Sequence, residues 1–266
     1  MVRSNPQISQ ITPINLCNLR NLQLALHMKV DALAIVAHRD DAEQTCGGTL
    51  LELAESGRTT GILDLTAGEM GTRGSADERA REAAEAARIL QVRWRENLGL
   101  PDARLENTWE NRLQVAARIR QLRPQAVFLP YWEGRHPDHY VAGRLGYEAC
   151  FLAGLKKLPL EGEPHRPRKI IYSTLYADVR PSFVVDITNQ FERRLEALLA
   201  YHSQYDDQAD GSGLFPSQAD VRARVEALAR FYGMMVGVKY GEPFLLKEVL
   251  LVTDPLAEIC RGRPSI

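Results

Sequence analysis

The sequence predicts an α/β fold, a Rossmann-like three-layer sandwich on a mostly parallel sheet, and three observations carry that expectation. Short, nearly all-apolar runs alternate with segments whose apolar residues recur at helical spacing. The apolar runs are unbroken rather than alternating, as strands buried on both faces of a parallel sheet require. Two of them end in clusters of histidine and aspartate, at the carboxyl strand ends where such sheets hold their ligands.

Each element follows in order. Residues 30–38, VDALAIVAH, read as the first buried strand. Residues 44–56 carry Leu50, Leu51, Leu53 and Ala54 at helical spacing, and Gly57 stops that helix. Residues 59–68 are a second strand. A helix then starts at Ser75, with Glu78 three residues on, the pattern of a capping box. VRWRENL, 92–98, is a weaker third strand, and 108–122 a helix closed by Pro124. AVFLPY, 126–131, is a fourth buried strand. A helix from about 141 to 157 and a Pro-rich charged loop lead to strands at 170–177 and 182–188. Helices at 189–202 and 218–236 and a last strand at 244–252 complete the chain. Residues 206–217, DDQADGSGLFPS, read as a mobile loop. The expected organisation is an N-terminal extension over 1–29, disordered or a mis-called start with the domain beginning at Met28, then one domain over 30–255 and a tail over 256–266.

Composition narrows the function. Lys+Arg number 33 and Asp+Glu 34, so there is no basic excess of the kind nucleic acids or anionic membranes select. No apolar run approaches the ~20 residues that span a bilayer. The four cysteines, Cys17, Cys46, Cys150 and Cys260, form no CxxC pair and fit a reduced, cytoplasmic protein. No GxGxxG follows the first strand, which argues against a dinucleotide-binding module.

The chemistry concentrates in VAHRDDAEQTCGG, 36–48, and WEGRHPDHYVAG, 132–143. Either cluster alone could be a helix cap or a turn. Together they place His38, Asp40, Asp41, His136 and His139 at two neighbouring strand ends. Two imidazoles and a carboxylate suffice for a three-ligand Zn²⁺ site with an open position, and a further carboxylate can serve as a base. Unpartnered, such groups would cost several kcal/mol to bury. Fe²⁺ or another divalent ion suits the same donors.

AHRDDAEQTCGGTL with RHPDHY resembles the LmbE-like, or PIG-L, family of zinc-dependent N-acetylglucosamine deacetylases, which usually shows AHPDD and a distal HPDH. GEMGTRGSADERAREAAEAARILQV, YHSQYD and FYGMMVGVKYGEPF extend the likeness over about 30–252, and the C-terminal pieces are nearest to the bacillithiol-biosynthesis deacetylases acting on N-acetylglucosaminyl-malate. The resemblance implies His38, Asp41 and His139 as zinc ligands and Asp40 as general base. It implies His136 as the group that stabilises the oxyanion or protonates the amine, and Asp138 as a carboxylate orienting a histidine. It places Arg73 against substrate, with Gly68, Gly71 and Gly74 letting backbone approach a sugar, and Tyr240 and Glu242 at the pocket rim. Residue 39 is Arg where the family has Pro, so either other contacts hold the loop, or Arg39 binds an anionic part of the substrate or points to solvent. Cys46 reads as a small core residue. The implied partners are a small amino-sugar substrate and further copies of the chain. The alternatives are deacetylation of another N-acetylglucosamine compound, such as a chitooligosaccharide, a mycothiol-type or an antibiotic precursor, or non-catalytic sugar or nucleotide binding.

Overall fold

The computed structural model describes residues 28–175, 179–207, 215–254 and 256. The expected extension, apart from Met28 and Lys29, the expected tail, apart from Leu256, and the middle of the expected mobile loop lie outside them.

Seven strands form one sheet: β1 (Ala32–Val36), β2 (Thr60–Thr66), β3 (Trp94–Leu100), β4 (Ala126–Pro130), β5 (Lys169–Ser173), β6 (Phe183–Asp186) and β7 (Gly241–Leu245). Their order is β3-β2-β1-β4-β5-β7-β6. The five from β3 to β5 pair in parallel, and β7 runs antiparallel to both β5 and β6. The three-layer α/β class expected from the sequence is the one observed.

The unbroken apolar runs are explained by β1. Leu33 and Ile35 face one core with Val115, Ile119, Leu145 and Ala149. Ala32, Ala34 and Val36 face another with Ala42 and Leu50. Full burial of each larger aliphatic side chain contributes about 1.5–3 kcal/mol. The first core is closed by α4 (Trp109–Leu122) and α5 (Pro137–Ala153), and the other face carries α1 (Asp41–Thr45) and α2 (Gly47–Glu55). Behind these lie α3 (Ala76–Ile89) and α6 (Phe191–Leu199), followed by α7 (His202–Tyr205) and α8 (Gln218–Val236). No helix among the described residues is long and apolar enough to cross a membrane.

Three of the boundaries that differ from expectation have a visible cause. The helix expected over 44–56 is broken at Cys46, and the second piece receives an external cap: the Glu242 carboxylate accepts from the Gly48 and Thr49 amides at 2.8 and 2.7 Å. The helix expected from 141 starts at Pro137, because His136 acts as its N-cap and proline suits the first helical position. The last strand occupies 241–245 rather than 244–252. β6 pairs with Gly241 to Phe244 and β5 with Phe244 and Leu245; beyond that no strand pairs with the chain, and Val249 to Val252 are exposed.

The strand order reverses between β1 and β4, which are hydrogen-bonded neighbours. A crevice beyond the carboxyl ends forms at such a switch point. His38 follows β1 and His136 follows β4, so 98 residues of separation collapse onto one crevice.

Candidate metal centre

His38, Asp41 and His139 converge on one point. His38 Nδ1 stands 3.3 Å from His139 Nε2 and 3.4 Å from Asp41 Oδ2, and His139 Nε2 is 3.1 Å from Asp41 Oδ1. Donors ~2.0–2.1 Å from a tetrahedral ion stand about 3.3 Å from one another, which is the spacing of the two ring nitrogens, with a different Asp41 oxygen beside each. Local structure sets the geometry: the Asp41 carboxylate also accepts from the His38 amide at 2.8 Å, closing the tight turn between β1 and α1.

The other ring nitrogen of His38 is taken. His38 Nε2 lies 3.1 Å from Asp102 Oδ1 and 3.4 Å from Asp138 Oδ2. A proton on Nε2 donated to a carboxylate leaves the Nδ1 lone pair for a metal. His38, Asp102 and Asp138 form a second cluster whose atoms could hold an ion, as do the three histidines 38, 136 and 139. The two carboxylates are, however, engaged by backbone. Asp102 accepts from Met70 and Ala103, and Asp138 accepts from Ala103 and Leu105. Both also lie within 3.4 Å of His38 Nε2 and so fix the His38 ring.

In the ion-free chain this acidic cluster holds a proton. Burial pulls the His38 imidazole down, but the Asp41 and Asp102 carboxylates outweigh it and raise it to about 11. His139 is likewise lowered by burial and raised overall by Asp41. Asp41, buried yet facing both histidines, is held well below the usual carboxylate range. A divalent ion would replace those protons.

The His136 ring is 4.8 Å from that of His38 and stacked 4.7 Å from that of His139. Its Nδ1 accepts from the Asp138 amide at 3.3 Å, so the neutral ring carries its proton on Nε2 and can donate there. Burial, then the neighbouring histidine charges, lower its pKa and favour that neutral form.

Asp40, beside Asp41, accepts from Arg79 Nη2 at 3.2 Å and from the Tyr205 hydroxyl at 2.7 Å. Arg39 neither dangles in solvent nor loosens the loop. Its guanidinium donates to the Ala76 carbonyl, and its own carbonyl accepts from Arg95 and Tyr201. These contacts do the work a proline ring would otherwise do.

The remaining expected contacts fall elsewhere. Arg73 is buried, donates to the Gln204 carbonyl at 2.8 Å and lies over the Phe215 ring. Tyr240 is not at a pocket rim: it is buried, stacked on Phe191 at 3.9 Å, with its hydroxyl donating to Glu226. Glu242 is the buried cap of α2. Cys46 is buried, and its thiol is pushed up by burial, as a core residue should be. Gly68 and Gly74 make room for the protein rather than for a sugar. A Cβ on Gly68 would lie 1.8 Å from Arg79 Nη1, and one on Gly74 2.5 Å from Ser203 Oγ.

Asp102, Arg79 and Tyr205 were not singled out from the sequence. Asp102 had a usable signal, a carboxylate two residues past the third strand. Arg79 and Tyr205 had none of that kind, since they sit inside helical segments.

Residues 33–150 match the PIG-L family, described as GlcNAc-PI de-N-acetylase. The chain is 32% identical over 226 residues to a diacetylchitobiose deacetylase of Thermococcus kodakarensis, covering 79% of this chain and 80% of that one. Among solved structures it resembles a conserved protein from Thermus thermophilus, with TM-score 0.76 and 44% identity over 84% of this chain and 98% of that one. It also resembles the N,N'-diacetylchitobiose deacetylase of Pyrococcus horikoshii, with TM-score 0.70 and 26% identity over 89% and 94%. On the match to the first of these relatives and on its own HRDD and HPDH clusters, the chain belongs to the PIG-L family.

Proposed function

We propose that the chain is a divalent-metal-dependent N-deacetylase of N-acetylglucosaminyl compounds, releasing acetate and the free amine. The observation that carries this reading is the set of three donors, His38 Nδ1, the Asp41 carboxylate and His139 Nε2, 3.1–3.4 Å apart, with Asp40 and His136 beside them. His38, Asp41 and His139 would hold Zn²⁺ or Fe²⁺. Such an ion supplies Lewis acidity and lowers the pKa of water towards ~7.

The residues of the chain do the rest. Asp40 takes a proton from the attacking water as its oxygen bonds to the acetyl carbon. His136, through Nε2–H, donates to the carbonyl oxygen as negative charge develops on it. Asp102 and Asp138 keep the His38 ring in place. When the carbon–nitrogen bond breaks, Asp40 returns its proton to the amine nitrogen, and acetate leaves.

The substrate we favour is N-acetylglucosaminyl-malate, on the likeness of the C-terminal segments, as in low-molecular-weight thiol biosynthesis. A second reading, a chitooligosaccharide such as diacetylchitobiose, is favoured by the relative matched over four-fifths of its length. Acetate release from both, with bound metal measured in the same preparation, decides between them. In the same assay His136→Ala should lower kcat by ~10²–10³ with metal retained. Near wild-type turnover in that variant would remove His136 from the mechanism.

A further inference from the structure

We infer that Tyr205 and Arg79 are positioning residues that hold the Asp40 carboxylate in its reacting orientation, an inference resting on the reading of Asp40 as the base. Asp40 occupies the N-cap position of α1, where aspartate ordinarily caps with its own side chain. Here it makes no cap bond. Instead each carboxylate oxygen is engaged from a distant part of the chain: Oδ1 by Arg79, 39 residues on, and Oδ2 by Tyr205, 165 residues on. Each oxygen keeps a second lone pair, so the holders fix the group without using up its capacity to accept a proton.

The surroundings are built to deliver both donors. Arg79 leaves α3 across Gly68, whose φ of +71° and missing Cβ open a passage that any larger residue would fill. Its Nη1 donates to the Gly68 carbonyl at 3.2 Å, which aims Nη2 at Asp40. Tyr205 is carried by α7, and α7 is fastened to the loop before α3 and to α3 itself. Ser203 bonds through its amide and hydroxyl to Glu82 at 2.6 and 2.7 Å. Gln204 exchanges hydrogen bonds with Arg73, donating at 2.6 Å and accepting at 2.8 Å. Gly74 lets Ser203 approach. The conspicuous GTRGS and YHSQYD stretches thereby acquire one shared purpose: docking on each other brings a phenol to Asp40.

The experiment is steady-state acetate release by the metal-loaded full chain, wild type against Tyr205→Phe and Arg79→Lys, with bound metal and melting temperature measured for each. Misplacing a catalytic group costs up to roughly 10²-fold. Tyr205→Phe should therefore lower kcat by about 10- to 100-fold, with KM and bound metal within about twofold of wild type. Arg79→Lys should retain part of kcat, since an ammonium can still donate to Asp40 but not hold Gly68 as well. Unchanged kcat in Tyr205→Phe overturns the inference and leaves the deacetylase reading standing. A raised KM at unchanged kcat assigns Tyr205 to substrate binding, and lost metal or a collapsed melting transition assigns it to structure; either overturns positioning. A wild-type chain that releases no acetate from any substrate offered sinks both readings together.

Discussion

Two clusters of buried charge lie side by side behind the first strand, and they are built on opposite principles. One is organised by Arg95, whose guanidinium grips Asp64 with two bonds of 2.9 Å and Glu43 with one of 2.7 Å. Its charge closes within the protein: burial pushes Glu43 up to about 7, against the pull of Arg95. The other is the His38 cluster, where Asp41, Asp102 and Asp138 meet imidazoles and backbone amides, and no guanidinium or ammonium among the described contacts. The first cluster carries its own cation, although Glu43 Oε2 is buried without a hydrogen-bond partner. The second is anionic: its carboxylates accept from backbone amides and meet histidines, and their charge is balanced only by protons on those rings or by a cation. A buried ion pair is weak evidence of function, whereas buried carboxylates whose only side-chain partners are histidines point to something the chain binds.

The contrast can be broken most forcefully at Arg95. Arg95→Met removes the guanidinium bonded to Asp64 and Glu43 and leaves the Arg39 carbonyl with Tyr201. Breaking a buried pair costs about 3–5 kcal/mol, so denaturant unfolding should show a loss of that size, with metal present or absent. The proposed metal centre should behave the other way round. Saturating ion at 100 times its Kd should add about 2.7 kcal/mol to the wild type, and a chelator should remove it, while Asp41→Asn should respond to neither.

The same measurement has a pH signature. The His38 pKa is raised in the folded, ion-free chain, from 6.5 to about 11. Its contribution to stability is therefore full below pH 6.5 and lost as pH climbs towards 11. The melting temperature of the ion-free chain should fall between about pH 7 and 10, and bound metal should suppress that fall. A finer cut is Asp102→Asn, which weakens the carboxylate partner of His38 at a residue outside the proposed ligand set. Metal affinity should drop ~10–100-fold, read by competition with a chromophoric chelator, with the fold unaffected.

Much of this was legible in the sequence because the relevant physics is local. Unbroken apolar runs declare parallel strands, Ser75 and Glu78 declare the start of α3, and the capping box is present as expected. The HRDD and HPDH clusters were visible because each lies within a few residues of a strand's carboxyl end. Boundaries failed where a partner decides them. The seventh strand ends when β5 and β6 stop pairing, and the break at Cys46 goes with a carboxylate that arrives from residue 242. Tyr240 misled because an aromatic beside a glycine looks the same whether it lines a pocket or, as here, stacks in the core on Phe191.

The sequence by itself determined the fold class, the two strand ends that carry the chemistry, and the residue types able to hold a divalent ion. Only the tertiary structure decided which nitrogen of His38 faces Asp41 and His139, that Asp102 meets the other, and that Arg79 and Tyr205 take hold of Asp40. The physical reason is range. Propensity, capping and periodicity act over a few residues, whereas a carboxylate is oriented by whichever donors the packed layers bring within about 3 Å, however far along the chain they lie.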